Sequence, residues 1–322
     1  MISRRIFSLA GILAAALAVS LATTGVRAAD KLNLVATVSM VGDAVSAVAG
    51  DRADVTVLMG EGVDPHLYRQ TQSDIAAMVS ADAVFWNGLY LEAQLEEFLN
   101  NLNERKPVFA LGEAVPEDKR IASEDYADRY DPHVWMAPDL WQRAVTAARD
   151  ALIELDPSGA ETYRANADAY IAELAELATF ASDSLASVPE DRRVLITAHD
   201  AFGYFGQTYD FDVIGIQGLS TESEAGLQRV DEIVNMIVDR NISAIFVETS
   251  VSERNVRALI EGAAARGHEV VVGGELYSDA MGAAGTYTGT YVGMIDSNTT
   301  TITNALGGSA PEAGLHGKLA GS

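Results

Sequence analysis

The sequence predicts an α/β protein with two lobes, each a mostly parallel sheet flanked by helices, joined by one long rigid helix. Short apolar runs of strand length alternate with helical stretches in both halves of the chain. Residues 160–188 contain neither proline nor glycine and place apolar side chains at helical spacing. The length of 322 residues also suits two lobes of about 150 residues each.

The N-terminal lobe is predicted over residues 30–155. Its strands are short runs rich in valine, leucine and phenylalanine, and its helices carry apolar residues three or four positions apart. The predicted strands are 32–37, 54–58, 83–86 and 107–110, and the predicted helices are 39–48, 72–80, 91–100 and 140–155. Residues 113–131 are polar, acidic and aperiodic, so they predict a loop.

The connecting helix is assigned to residues 156–188, and Asp156-Pro157-Ser158 supplies its start signal. The proline- and glycine-free stretch, residues 160–188, would span roughly 40 Å as a helix. The C-terminal lobe follows over residues 189–307. Its predicted strands are 194–197, 212–216, 244–247 and 270–272, and its predicted helices are 227–239, 253–266 and 291–306. Residues 308–322 are rich in glycine and alanine and predict a flexible tail.

Residues 1–28 have the pattern of a secretory signal peptide, with Arg4 and Arg5 before an uncharged run. Val26-Arg27-Ala28 has the small residues of a cleavage site, so we expect cleavage near Ala28 and a periplasmic mature protein. The run is also long enough for an uncleaved membrane anchor. The arginine pair in addition resembles a twin-arginine export signal, so the export route stays open.

The amino-acid composition excludes several classes of binding partner and site. The chain has 46 acidic and 22 basic residues, a net charge of −24, which becomes −27 without the signal peptide. Such a charge excludes nucleic acid and anionic lipid surfaces as partners. There is no cysteine, so disulfides, thiolate ligands, a cysteine nucleophile and a lipid-anchored cysteine are all excluded. No later segment predicts membrane insertion of the mature chain.

Two of the five histidines lie in a repeated pattern, Asp-Pro-His followed by an apolar and an aromatic residue. The copies are residues 64–68, around His66, and residues 131–135, around His133. Proline stiffens the turn, and the aspartate is placed to orient the imidazole. His268 and His316 have no such setting and are predicted to be solvated.

The C-terminal half offers one more histidine and one carboxylate at strand ends. His199 follows the strand 194–197, and Asp279 lies just beyond the strand 270–272, at the edge where open α/β sheets bind ligands. Together with His66 and His133 they form a set that suits Zn²⁺, and Mn²⁺ or Fe²⁺ if the carboxylate is bidentate. Four nearby acids could replace or support Asp279: Glu275, Glu248, Glu222 and Asp200.

These residues carry a resemblance to the periplasmic solute-binding proteins of zinc/manganese-type ABC transporters. The matching motifs are residues 62–66, 131–135, 196–205, 273–282 and 289–294. The resemblance implies a two-lobed fold with one long rigid helix and one divalent ion as cargo. It places the metal ligands at His66, His133, His199 and Asp279. It also implies delivery of the ion to a membrane permease, and no catalytic residues.

The chain departs from both metal-specific patterns of the family. Members regarded as manganese or iron receptors often have glutamate where this chain has His199. Zinc-dedicated members often carry a histidine-rich acidic loop before the second histidine motif, but residues 113–131 contain no histidine. Three imidazoles favour zinc, with manganese next.

Two alternative functions are considered for this chain. A secreted zinc hydrolase would need an open coordination position for water, whereas four protein ligands close the metal, and the chain has no HExxH pair. A receptor for a metal chelate, such as a siderophore or haem, would line its cleft with arginines and aromatic residues. We therefore expect a metal-ion receptor that is not an enzyme, and a monomer as the simplest state.

Overall fold

The computed structural model describes residues 31–123 and 126–321, so the predicted signal peptide lies outside the described residues. The strands are β1 Leu32–Val38, β2 Ala53–Met59, β3 Ala83–Trp86, β4 Val108–Ala110, β5 Val194–Thr197, β6 Asp212–Gly215, β7 Ala244–Glu248 and β8 Val271–Leu276. The α-helices are α1 Ser39–Ala49, α2 Gln72–Ser80, α3 Glu96–Asn103, α4 Pro138–Leu155, α5 Ala160–Ala186, α6 Gly203–Tyr209, α7 Leu227–Asp239, α8 Arg254–Ala265 and α9 Tyr291–Ala305.

The N-terminal lobe contains one parallel sheet of order β2-β1-β3-β4. The inner strand β1 is buried over its last five residues, and β3 is buried throughout. Helix α1 packs against β1 and β2 and continues directly from β1. Because all four strands run in one direction, the loops that follow them emerge at one edge of the sheet.

The C-terminal lobe is built from two parallel pairs, β5 with β6 and β7 with β8. Strand β5 lies beside β7, and a register shift occurs in the β7–β8 pair between Ile245 and Phe246. Helices α7 and α8 pack together, and their apolar faces join the buried residues of β5, β6 and β7. The ends of β5 and β8 therefore lead into one loop region.

Helix α5 joins the two lobes and packs against α1 and α4 on one side and α9 on the other. Its 27 residues span about 40 Å. Tyr163, Ala167, Tyr170 and Leu174 are fully or almost fully buried, which agrees with the helical spacing of apolar residues in the sequence. One continuous hydrophobic core contains residues from both lobes and from α5.

Two predicted elements differ from the structure by several residues, and one helix was not predicted. The helix predicted at 91–100 begins only at Glu96, because the preceding residues form turns. Strand β8 continues to Leu276 through Gly273 and Gly274, where the sequence predicted a loop. Helix α6 was not predicted, since its seven residues include two glycines and lie between apolar runs.

Residues 308–319 pack against the protein, whereas the sequence predicted a flexible tail over 308–322. The backbone N–H of Gly308 donates to the carbonyl of Thr303 at 2.8 Å. The backbone N–H of Leu315 donates to the buried carboxylate of Asp296 at 2.9 Å, and the Leu315 side chain is itself buried. The segment is thus anchored to α9. Among the described residues, no helix is both long and apolar enough to cross a membrane.

Candidate metal centre

The four candidate ligands meet where the two lobes face each other. The potential ligand atoms of His66, His133, His199 and Asp279 all lie within 4.8 Å of one another. The four residues are buried, with between 0% and 3% of their surface exposed. The N-terminal lobe supplies two imidazoles, and the C-terminal lobe supplies the third imidazole and the carboxylate.

Each ligand lies in a loop near the edge of a sheet. His66 lies in the loop that follows β2, and His133 directly precedes a short 3₁₀ turn, Val134–Met136, at the start of α4. His199 comes two residues after the end of β5, and Asp279 comes three residues after the end of β8. The strand-end rule used on the sequence therefore placed the C-terminal pair correctly.

The Nε2 atoms and the carboxylate oxygens face one another. The Nε2 atoms of His66 and His133 are 3.3 Å apart. Asp279 Oδ1 lies 3.4 Å from His133 Nε2, and Asp279 Oδ2 lies 3.1 Å from His199 Nε2 and 3.7 Å from His66 Nε2. A tetrahedral ion with bonds of about 2.0 Å has ligands about 3.3 Å apart, so these separations suit one ion at the centre.

The repeated Asp-Pro-His pattern works differently in its two copies. Asp131 Oδ1 accepts the backbone N–H of His133 at 2.8 Å and lies 2.7 Å from its ring Nδ1, so it orients the ring as predicted. Asp64 Oδ1 accepts only the backbone N–H of His66, at 2.9 Å, and its other oxygen accepts the hydroxyl of Thr221 at 2.6 Å. The first copy therefore ties its loop to the other lobe instead of orienting a ring.

Glu248 supports His199 from behind. Its Oε2 lies 2.6 Å from His199 Nδ1, and its Oε1 accepts the backbone N–H of His199 at 2.9 Å. A carboxylate in this position keeps the proton on Nδ1 and directs the lone pair of Nε2 towards the ligand cluster. Glu248 thus supports the cluster and is not one of its members.

The other three acids considered from the sequence lie outside the cluster. Glu275 is exposed on β8. Glu222 is exposed and accepts a hydrogen bond of 2.5 Å from the amide of Gln94. Asp200 borders a cavity of about 770 Å³ and is not one of the four residues whose ligand atoms converge. Asp279 is the carboxylate that joins the three imidazoles.

Three buried polar atoms of the cluster have no hydrogen-bond partner among the described residues: His199 Nε2 and both carboxylate oxygens of Asp279. Leaving such atoms unpaired costs about 1–3 kcal/mol each. Two lone-pair acceptors that face each other at 3.1 Å need a cation between them, either a proton or a metal ion. The cluster is therefore prepared to receive positive charge.

The charges of the cluster follow from burial and proximity. Burial lowers the pKa of His66 to about 3, against the opposing effect of the Asp279 charge, so this imidazole is neutral. Burial opposes ionisation of Asp279, but the imidazoles, His199 foremost, hold its pKa well below the ordinary range. Burial also opposes the charge of His199, yet Glu248 and Asp279 outweigh it and raise its pKa. A metal ion that enters must displace this proton.

Trp135, which is not among the site residues expected from the sequence, connects the two lobes at the cluster. The indole Nε1–H of Trp135 donates to the carbonyl of Ser278 at 2.8 Å, one residue before Asp279. Its ring lies 5.3 Å from the ring of His133, and its own carbonyl accepts the hydroxyl of Tyr291 at 2.7 Å. The aromatic position of the Asp-Pro-His pattern was the signal that pointed to it.

Two histidines lie away from the cluster. His268 Nε2 is 2.6 Å from the carbonyl of Ile242, so this ring has a protein partner and is not simply solvated. His316 is exposed, 3.3 Å from a carboxylate oxygen of Glu176. Neither ring contributes to the group of ligand atoms.

Comparison with known proteins gives a consistent result. The family described as periplasmic component A of the zinc-uptake complex matches residues 34–305. The chain is 44% identical over 303 residues to the manganese-binding lipoprotein MntA of Bacillus subtilis (strain 168), covering 92% of this chain and 99% of the relative. It is 43% identical over 273 residues to the zinc-binding protein TroA of Treponema pallidum, covering 85% and 88%. The solved structure of the periplasmic zinc-binding protein TroA superposes with a TM-score of 0.84 at 42% identity, covering 86% and 99%.

Proposed function

Because the chain belongs to the family of periplasmic component A of zinc-uptake complexes, we propose that His66, His133, His199 and Asp279 bind one divalent metal ion as cargo. The observation that carries this proposal is the convergence of four buried ligands, three of whose atoms have no hydrogen-bond partner among the described residues. The protein holds the ion and delivers it to the membrane permease of an ABC transporter. The family acts with such permeases.

Zinc is the cargo we propose first, with manganese as its competitor. Three imidazole nitrogens suit Zn²⁺, and ligand separations of 3.1–3.7 Å fit the edges of a tetrahedron. Asp279 directs both oxygens into the same space, so the larger Mn²⁺ can be held through a bidentate carboxylate. MntA is named for manganese and TroA for zinc, which makes a direct competition the deciding measurement.

The geometry supports a receptor rather than an enzyme or a chelate receptor. A catalytic zinc site keeps one position open for water or substrate, whereas here four protein groups surround the centre. The cavity that borders His66 has a volume of only about 10 Å³, so a siderophore or haem does not fit beside it. A buried site of this size suits a bare ion.

The proposed location is the periplasm, after cleavage of residues 1–28 near Ala28. The mature chain has no cysteine and would therefore be free rather than lipid-anchored, unlike the relative MntA, which is named a lipoprotein. Its charge of −27 attracts divalent cations and repels nucleic acid. We propose a monomer with lobes at 30–155 and 189–307, linked by residues 156–188.

The test is a metal competition with the mature chain, residues 29–322, stripped with a chelator. Zinc and manganese are titrated by calorimetry against a competing chelator. We expect a stoichiometry of one and tighter binding of zinc. His199→Ala and Asp279→Ala should weaken binding by orders of magnitude while the fold survives. His268→Ala is the matched control, because this ring lies outside the cluster. Unchanged affinity in both ligand variants would refute the site.

A further inference from the structure

A turn beside the metal centre contains three consecutive residues with left-handed backbone. Gly88, Leu89 and Tyr90 have φ of 76°, 55° and 73°. Glycine adopts this conformation at no steric cost, but leucine and tyrosine do so only where the surroundings hold them. A side chain at position 88 would also approach Ala110 and Glu113 to 3.0 Å. Residues 88–90, the covering turn, are therefore under strain that other groups must sustain.

Glu92 holds the start of the covering turn. Its Oε1 accepts the hydroxyl of Thr37 at 2.6 Å and the backbone N–H of Asn87 at 2.9 Å, and its Oε2 accepts the backbone N–H of Gly88 at 3.2 Å. Glu92 is fully buried, and no ion pair with a basic residue forms within the part of the chain that the structure describes. A buried carboxylate that accepts two neighbouring backbone N–H groups fixes the backbone conformation at that point.

The covering turn contacts the metal centre directly and also through the residue before it, Asn87. The side-chain amide of Asn87 donates to the carbonyl of Pro132 at 3.1 Å, one residue before the ligand His133. Leu89 and Tyr90 line the cavity of about 10 Å³ that borders His66, which is the most exposed of the four ligands at 3%. A cavity of this size has room for about one water molecule. The turn therefore closes the metal centre on the His66 side.

The outer surface of the turn is closed by aromatic and cationic contacts. The guanidinium of Arg129 lies 4.4 Å from the centroid of the Tyr90 ring, and the Tyr126 ring lies 5.5 Å from it. Arg129 is also paired with Glu96 at 3.1 Å. These contacts reach the ring of Tyr90, whereas the bonds of Glu92 hold the backbone where the turn begins.

We propose that the covering turn is the gate through which the metal ion passes His66, and that Glu92 is the positioning residue that keeps this gate closed. The inference rests on the proposed function, because it needs an ion at the four-ligand site. Opening relaxes the left-handed conformation of Leu89 and Tyr90, so the strain favours the open state and the bonds to Glu92 oppose it. Glu92 therefore sets the rate of metal release without touching the ion.

The first test compares Glu92→Gln with Glu97→Gln, the same change on an exposed residue of α3. Glutamine keeps the shape but turns an amide N–H group towards one of the donors. Zn²⁺-loaded protein is mixed with an excess of 4-(2-pyridylazo)resorcinol, and release is followed by absorbance in a stopped-flow instrument. We expect Glu92→Gln to release zinc about tenfold faster, as loss of a hydrogen bond to a buried charge predicts, and Glu97→Gln to match the wild type.

A second pair of variants tests the gate even if Glu92→Gln does not fold. Tyr90→Asn and Tyr90→Val both remove the ring, but asparagine tolerates left-handed backbone and valine does not. Release from the valine variant should be several-fold faster than release from the asparagine variant. The gate is overturned if Glu92→Gln is folded and releases zinc within twofold of the wild-type rate, or if the two Tyr90 variants release it equally fast. A wild-type chain that binds no zinc or manganese would instead overturn the proposed function itself.

Discussion

Replacing Glu248 with glutamine tests whether the carboxylate behind His199 prepares this histidine to bind the metal ion. Glu248 accepts two hydrogen bonds from His199, at 2.6 Å from the ring and 2.9 Å from the backbone. Glutamine has one oxygen for these two donors, and its NH₂ group must face the other. Either the ring Nδ1–H loses its acceptor, or the ring takes the tautomer in which Nε2 carries the proton and cannot bind a metal ion.

The expected magnitude follows from the lost bond. A hydrogen bond to a charged group contributes about 1.5–3 kcal/mol, and supporting residues of this kind change metal affinity by about 10–100-fold. We expect Glu248→Gln to weaken zinc binding within that range, with a stoichiometry that stays at one. Ligand substitution at His199 should have a larger effect, because it removes a bond to the ion.

The assay is zinc titration of chelator-stripped protein in the presence of a fluorescent chelator of known affinity. Glu275→Gln is the matched control, since it makes the same change of charge on an exposed residue four positions before Asp279. Thermal melting of both variants shows whether they are folded. Zinc affinity of folded Glu248→Gln within threefold of the control would show that the carboxylate does not prepare His199 for the metal.

Three further predictions concern packing and pH. Trp135→Phe removes the hydrogen bond to Ser278 and should weaken zinc binding about fivefold, the equivalent of about 1 kcal/mol; Trp141→Phe, whose indole N–H has no partner among the described residues, should leave affinity unchanged in the same titration. Burial raises the pKa of Asp43 to about 6, against the opposing hydrogen bonds from Tyr170 and the Tyr291 backbone. The folded protein therefore holds this proton more tightly than the unfolded chain, and the metal-free protein should lose about 3 kcal/mol of stability from this group as the pH rises from 4 to 6. Urea unfolding of Asp43→Asn should lack that loss, the exposed Asp51→Asn should retain it, and identical pH profiles for wild type and Asp43→Asn would contradict the assignment. Leu315→Ala should lower the free energy of unfolding by about 2 kcal/mol if the C-terminal segment packs in solution as described, and an unchanged urea midpoint would indicate that it does not.

The sequence predicted elements best where local pattern and burial agree. Strands β3 and β5 and helices α2 and α7 have the predicted bounds, because continuous apolar runs or clear amphipathic periodicity leave one choice. Prediction was wrong for the start of α3 and the length of β8, where tertiary packing overrides local signals. The backbone of residues 88–90 is left-handed next to the buried carboxylate of Glu92, which accepts the N–H groups of Asn87 and Gly88. Strand β8 accepts two glycines because they pack closely against Phe246 and Thr301.

At the metal centre, too, the sequence predicted what depends on local pattern and not what depends on tertiary contacts. The repeated pattern around His66 and His133 and the strand-end positions of His199 and Asp279 are local, and the structure brings these four residues together. Their role as ligands stays a prediction until metal binding is measured. The sequence offered Glu248 as a replacement or support for Asp279, but not as the partner of His199, because that contact joins residues 49 positions apart. The role of Glu92 was not predictable either, because its bond to Thr37 joins β1 to a turn 55 positions away.

Helix α5 has a consequence for how the protein denatures. Its buried side chains belong to the same core as α1 and α4 on one side and α9 on the other. The C-terminal lobe also has a second core between β5–β7, α7 and α8, but the shared core supplies part of the interior of both lobes, so we expect them to unfold together. Calorimetry of the metal-free chain should show one cooperative transition, and a cavity made deep in either lobe should lower the melting temperature of the whole molecule.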